Sequence, residues 1–324
     1  MKALVTGGTG FIGGHVVGLL LRENHSVRIL SRRPHIPEKF EGKDVEVFQG
    51  DLENPLSVAD AMNRVDIFYH IGEIKNITKA ASEKNIRLLE HIVKNLGRRK
   101  VKRFVFISSI TAAGVPSSVP ATEDTSPEII LEDHYTSYKR RGEEIIVQSA
   151  DAEYAIIRPA PVYGPGSRYL GKLTEVVNRI GPIGFPFLGN AQNLAPLIYV
   201  KDLAKAVYLA GIRPDAAGQI FNLTDGMRHS WYDFLNTIAG MFGKKLKIVS
   251  LPPALFRIPG IFFDSFSGLF GFDLDINHYV IFFSRDAYFD NAKAMNLLAW
   301  QPEYTLTEGV REMISEYSGR ERKS

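Results

Sequence analysis

The hydrophobic positions of the chain follow two alternating periods over its first half. Short apolar runs at Ala3-Leu4-Val5, Ser26–Leu30, Val45–Phe48, Asp66–His70, Arg103–Ser108 and Tyr154–Arg158 have the length and composition of strands buried on both faces. Between them, apolar residues recur at three- and four-residue spacing over Gly14–Arg22, in a helix opening near Pro55, over Thr78–Asn95 and over His134–Ser149. Strands alternating with helices, each crossover right-handed, predict an α/β fold with a doubly wound parallel sheet. Beyond Arg158 the rhythm breaks at Pro159, Pro161, Pro165, Pro182, Pro186 and Pro196. The pattern therefore predicts a sheet domain over 1–160 and a smaller lobe, mainly substrate-binding, over 161–324. Leu197–Val200 and Gln219–Leu223 are expected to return to the sheet, and helices are expected near Asp202–Ala210, Ser230–Phe242 and Thr305–Tyr317.

The first apolar run leads straight into Thr6-Gly-Gly-Thr-Gly-Phe-Ile-Gly13 and then a helix. Glycines reach backbone conformations and close approaches that other residues resist. A turn of this kind aims backbone N–H groups and a helix N-terminus at one point, which suits a pyrophosphate. Taken alone the glycine spacing is common; in a strand-to-helix turn opening a long α/β pattern it predicts a Rossmann-type dinucleotide site, with Gly7, Gly10, Phe11, Ile12 and Gly13 at the phosphates.

Composition narrows the partners. With 39 Lys and Arg against 36 Asp and Glu the net charge is +3, and the basic runs at Arg98-Arg99-Lys100 and Arg320–Lys323 read as solvated surface, so no nucleic acid is implicated. The absence of cysteine excludes a disulfide or a thiolate nucleophile. The eight histidines form no ligand spacing, so no metal is expected. A strand opening at residue 2 leaves no room for a signal peptide, and a cytoplasmic location is expected.

Ser31-Arg32-Arg33 follows the second strand, where an adenosine ribose would lie. An NAD site usually carries an acid there, whereas arginine accommodates a 2′-phosphate. Arg32 and Arg33 therefore predict NADP(H) over NAD(H). Asp51, in Gly50-Asp-Leu52 after the third strand, is placed either to meet the adenine amino group or, with Asn54, to cap the helix near Pro55.

Tyr135 and Lys139 stand four apart on a predicted helix and so share a face. A free phenol, with pKa about 10, is a poor proton donor or acceptor at neutral pH, and a neighbouring cation favours its phenolate. Tyr135 could then exchange a proton with an alcohol or ketone. Ser109, at the end of the fifth strand, can hydrogen-bond the same substrate oxygen. Strand alternation turns Ser108 away, and Thr111 is the alternative to Ser109.

Taken together, Thr6–Gly13, Gly50-Asp-Leu52, Phe104–Ser109, Tyr135-x-x-x-Lys139, Arg158-Pro-Ala-Pro-Val-Tyr-Gly-Pro-Gly166 and Tyr199-Val-Lys-Asp-Leu203 resemble, in order and over nearly the whole chain, the motifs of extended short-chain dehydrogenases/reductases, the epimerase/dehydratase superfamily. The resemblance implies that Ser109, Tyr135 and Lys139 are catalytic and that Lys139 also holds the nicotinamide ribose. It places Pro159 to Val162 at the nicotinamide end, and Asp51, Leu52, His70, Ile71 and Gly72 along the cofactor. The asparagine of the family's proton relay aligns near Ala81, with Asn85 one turn away. A homodimer built by helices is compatible with the resemblance.

Pro161 and Ala195-Pro-Leu-Ile198 stand where sugar-nucleotide members usually have Asn and a polar stretch. The chain thus looks more like the 3β-hydroxysteroid dehydrogenase and dihydroflavonol reductase branches, which implies a bulky apolar substrate. The aromatic stretch 255–272 has a thin polar stripe and reads as packing within the lobe, a lid over an apolar substrate, or a peripheral membrane contact. Two other functions stay open: a nucleotide-sugar epimerase or dehydratase retaining NAD, and a non-catalytic NADP-binding regulator.

Overall fold

Strands in the first half of the chain are buried on both faces because alternate residues enter two separate apolar layers. Ala3, Val5, Ile67, Tyr69, Val105 and Ile107 belong to one layer, and Leu4, Phe68, Phe104, Phe106 and Ile156 to the other. The computed structural model describes residues 1–74, 78–252 and 285–321. Its elements begin with β1 (Lys2–Thr6), α1 (Phe11–Arg22), β2 (Ser26–Ser31), β3 (Val45–Gln49), α2 (Pro55–Ala61), β4 (Ile67–His70), α3 (Lys79–Leu96) and β5 (Arg103–Ile107). A short antiparallel pair, β6 (Val115–Pro116) and β7 (Pro127–Ile129), precedes α4 (His134–Ser149) and β8 (Glu153–Pro159). The remainder contains β9 (Val162–Tyr163), α5 (Arg168–Gly184), β10 (Phe185–Leu188), β11 (Ile198–Tyr199), α6 (Val200–Ile212), β12 (Gln219–Leu223), α7 (Trp231–Met241) and β13 (Ile248–Leu251). Helices Ala292–Leu298 and Leu306–Glu321 close the described chain.

The central sheet is parallel throughout, in the order β12-β8-β5-β4-β1-β2-β3. This is the doubly wound Rossmann-type sheet that the hydrophobic pattern predicts. The winding reverses between β1 and β4, so a crevice opens at their carboxyl ends. Helices α1 and α6 cover one face, and α2, α3 and α4 the other.

Local chemistry sets the helix starts. Asn54 caps α2, accepting from Leu56 N at 3.1 Å, with Pro55 as its first residue. Thr78 caps α3 and Asp133 caps α4. Ser230 and Asp233 form a reciprocal capping box on α7.

A third apolar cluster, with Tyr163, Val177, Phe185, Trp231 and Phe234, makes the core of the C-terminal lobe. Two expectations change here. Gln219–Leu223 joins the sheet as its edge strand, but the segment around Leu197–Val200 does not, because β12, with five paired residues, occupies the edge of β8. Ile198 and Tyr199 pair instead with Val162 and Tyr163 in a separate two-residue ladder before Val200 opens α6. Within the proline-rich region, α5 forms over Leu170, Leu173, Val176, Val177 and Ile180, whose spacing is helical, with Pro182 tolerated in its last turn. The stretch 255–272 lies outside the described residues. Among those described, no helix is long and apolar enough to cross a membrane.

Candidate active site

The glycine turn is built by close approach. Gly7 has φ 70°, and a Cβ there would lie 2.7 Å from Gly72 Cα. A Cβ on Gly13 would lie 2.2 Å from the Gly7 carbonyl oxygen. Both glycines are therefore required by sterics, one to join the turn to the end of β4 and the other to seat α1. Helix α1 starts at Gly10 with no side-chain cap and no acid in its first turn, so its N-terminal N–H groups keep their affinity for an anion. Ile12 packs into the sheet layer beneath, while Phe11 lies against Gly166 and His15 Nε2 donates to the Pro165 carbonyl at 2.9 Å.

Arg32 and Arg33 are exposed at the end of β2, where Arg33 N donates to Ser31 Oγ at 3.1 Å. Lys39, which the sequence pattern does not single out, brings its ammonium against the first turn of α1: Nζ lies 2.4 Å from where a Cβ on Gly14 would stand. Asp51 accepts from Glu53 N at 3.1 Å and shapes the turn before α2, leaving the helix cap to Asn54. Leu52 packs against the layer beneath α2 and α3.

At the end of β4, Thr6 Oγ1 accepts from the N–H groups of Ile71 and Gly72, each at 3.2 Å, and donates to His70 Nδ1 at 2.9 Å. This arrangement puts the ring proton of neutral His70 on Nε2. Burial, with a smaller contribution from Lys139, pushes the His70 pKa down to about 3, so the ring is uncharged at neutral pH. The chain continues through Glu73 to Ile74, whose N–H donates to Asn85 Oδ1 at 2.8 Å and whose carbonyl accepts from Asn85 Nδ2 at 2.9 Å.

Three hydroxyls form a chain after β5: Ser109 Oγ and Thr111 Oγ1 are 2.9 Å apart, and Thr136 Oγ1 donates to Thr111 Oγ1 at 3.1 Å. Ser108 faces the other way and donates to Glu143, as strand alternation predicts. Lys139 Nζ is buried, donates to the Ile107 carbonyl at 2.9 Å and lies 3.1 Å from Glu73 Oε2. It also sits 5.5 Å from the centre of the Tyr135 ring, 4.9 Å from that of Tyr138 and 5.2 Å from that of Phe106. Helical spacing thus brings Tyr135 and Lys139 together at the mouth of β5.

The residues after β8 are fixed by backbone pairing. Pro159 ends the strand, Ala160 N donates to Leu223 O at 2.9 Å, and Val162 enters the β9–β11 ladder. Arg158 is held by Glu143 through Nε at 3.0 and 3.1 Å and Nη2 at 2.6 Å. The Tyr199–Leu203 motif has a structural use: Asp202 accepts from Glu303 N at 2.9 Å, and its carbonyl accepts from Trp300 Nε1 at 3.0 Å. Sequence reading missed Lys39, Glu73 and Glu143, which meet their partners only across the fold; Glu143 alone left a signal, four residues after Lys139 on the same helix face.

With this geometry in place, residues 3–224 match the sequence model of the NAD dependent epimerase/dehydratase family. The chain belongs to that family. It is an NAD(P)-dependent oxidoreductase of the extended short-chain dehydrogenase/reductase type. The ceramide reductase of Caulobacter vibrioides is 29% identical over 268 residues, spanning 82% of this chain and 78% of that protein. The UDP-glucose 4-epimerase of Vibrio cholerae is 26% identical, spanning 95% of this chain and 93% of its own. The 3beta-hydroxysteroid-dehydrogenase/decarboxylase isoform 2 of Arabidopsis thaliana is 25% identical; the match spans 97% of this family member but 62% of the plant protein. Among solved structures, the Bifidobacterium longum UDP-glucose 4-epimerase in complex with NAD+ and UDP superposes with a TM-score of 0.76 at 20% identity over 100% of both chains, a likeness of fold.

Proposed function

We propose that this oxidoreductase uses NADP(H) to interconvert a secondary alcohol and a ketone on a bulky, largely apolar substrate. The observation that carries the reading is the grouping of the Tyr135 ring, the buried Lys139 ammonium and the Ser109 hydroxyl chain at one end of the sheet, beside the glycine turn. The residues suit a dinucleotide: Gly7 and Gly13 let the turn close tightly on Gly72 and on the start of α1, and α1 begins without a side-chain cap, leaving its N–H groups for a phosphate. Gly7, Gly10, Phe11, Ile12 and Gly13 would hold the pyrophosphate. Arg32 and Arg33, assisted by Lys39, would hold a 2′-phosphate, and Asp51 the adenine amino group. His70, Ile71, Gly72, Pro159 and Val162 would line the route to the nicotinamide. Bound NADPH supplies a hydride.

On the protein side, Ser109 orients the substrate oxygen. In reduction Tyr135 Oη gives that oxygen a proton, and in oxidation it takes one back. The Lys139 ammonium favours the phenolate charge left on Tyr135. Neutral His70 packs behind this group without adding a second cation. The names of two relatives, a ceramide reductase and a hydroxysteroid dehydrogenase, support an apolar substrate, as does Pro161 at the position where sugar-nucleotide members usually carry Asn.

A panel of hydrophobic ketones and alcohols, followed by nicotinamide absorbance with both cofactors, tests the reading. Tyr135→Phe is expected to bind NADPH normally and lose turnover by about 100-fold or more, the usual scale for a positioned acid–base group. Retained turnover would overturn the role of Tyr135. The match to UDP-glucose 4-epimerases over nearly the full chain favours a second reading, an epimerase or dehydratase that keeps its cofactor through the cycle. Stoichiometric NAD released on denaturation would select it.

A further inference from the structure

We infer that Glu73 is the solvent-facing end of the proton path that serves Tyr135 and Lys139. The inference rests on the proposed roles of those two residues. Lys139 is sealed from water, its side chain 5% exposed, yet each catalytic cycle requires its neighbour Tyr135 to regain or shed a proton. Among the described residues, its ammonium lies close to the Ile107 carbonyl at 2.9 Å and to Glu73 Oε2 at 3.1 Å. A backbone carbonyl cannot carry a proton, whereas a carboxylate can, and Glu73 is 37% exposed.

Among the described residues, the other ionisable groups near this point are poorly suited: Glu143, one turn on from Lys139, is taken up by Arg158 and Ser108. His70, from β4, is buried and neutral, its pKa held at about 3 chiefly by burial. Tyr138, from α4, is buried, and burial first and Glu73 second push its hydroxyl up. Tyr135 is the group being served.

The carboxylate is also positioned. Buried Asn85, on α3, holds the N–H and carbonyl of the next residue, Ile74, with both ends of its side-chain amide. Asn85, one helical turn from Ala81, where the family's relay asparagine aligns, is therefore engaged in fixing the backbone that presents Glu73.

In reduction, the O–H bond of Tyr135 breaks as the product O–H bond forms. The phenolate then regains a proton from the Lys139 ammonium, whose Nζ is refilled from the Glu73 carboxyl, which takes its proton from water. One solvent proton thus replaces the one delivered to product, and oxidation runs the sequence in reverse. Glu73 touches neither substrate nor reacting atoms and acts through Lys139, as a positioning and relay residue.

Glu73→Gln keeps the shape and loses the proton carrier. With NADPH and an active ketone, the first turnover is expected to keep its rate while steady-state kcat falls about tenfold or more and KM falls with it, leaving kcat/KM unchanged. Glu73→Asp is expected to recover most of the loss, and formate or acetate to rescue Glu73→Ala in proportion to its concentration. Loss of the first turnover together with kcat, or no rescue by Asp and small carboxylates, would overturn the relay. A second readout needs no substrate: the tyrosinate absorbance of ligand-free protein, less that of Tyr135→Phe, reports Tyr135 ionisation. Removing the carboxylate is expected to lower its midpoint by about one pH unit, since a nearby negative charge opposes the phenolate. An unmoved midpoint would overturn the coupling whatever substrate is found. A shifted midpoint in a protein that turns over no ketone or alcohol would uphold the coupling and reject the proposed function.

Discussion

Acid should weaken this fold through one buried ring. His70 titrates at its ordinary 6.5 when unfolded and at about 3 when folded, because its ring is enclosed by Phe68, Phe104 and Phe106 and lies near the Lys139 ammonium. The folded pKa is depressed, so the stability that goes with a neutral ring is fully present above pH 6.5. It drains away as pH falls and stops falling only below about 3. At about pH 5 the unfolded chain has gained its proton and the folded one has not, over about 1.5 pH units at 1.36 kcal/mol each, a loss of about 2 kcal/mol. The control is His70→Asn, whose amide oxygen can accept the Thr6 hydroxyl near the Nδ1 position and does not titrate. Denaturant unfolding of both proteins at several pH values between about 5 and 7 isolates the ring as the difference between their curves. Asp202, pushed up to about 6 by burial, contributes with the opposite sign over part of this range, and it cancels because both proteins carry it. Parallel curves for wild type and His70→Asn would refute the reasoning.

Two further variants probe the frame around the site. Gly13→Ala places a Cβ 2.2 Å from the Gly7 carbonyl oxygen and forces turn and helix apart, costing about 1–3 kcal/mol of stability and weakening NADPH binding at least about tenfold. Unaltered binding by fluorescence titration would remove the turn as the phosphate seat. Glu143→Ala strands Arg158, whose side chain is 13% exposed, and the Ser108 hydroxyl, costing about 3–5 kcal/mol in chemical denaturation, while Glu143→Leu with Arg158→Met regains most of it. A single-variant cost below about 1 kcal/mol would show that the pair contributes little.

How far the chain could be read ahead of its structure follows from the range of the interactions involved. Strand and helix periods are local, so the six predicted strands and the helices between them lie close to where alternation and spacing put them. The partition after Arg158 was harder, because a two-residue ladder such as Ile198–Tyr199 with Val162–Tyr163 carries no periodic signature of its own. Which strand took the edge beside β8 was decided by the longer pairing that Gln219–Leu223 could make. Helix α5 was legible in its apolar spacing, but the prolines and glycines around it pointed toward irregular chain.

The same division runs through the site. The sequence by itself determined the glycine turn, because sterics at Gly7 and Gly13 leave no other residue, and the Tyr135–Lys139 pair, because four residues of helix place both on one face. Tertiary structure alone decided what surrounds them. Glu73 reaches Lys139 on α4 from the segment after β4, Lys39 reaches α1 from the segment after β2, and Asn85 holds the backbone beside Glu73 from α3. Burial and electrostatic strength depend on neighbours brought together by the sheet, and a neutral His70 beside a buried ammonium follows only from that enclosure.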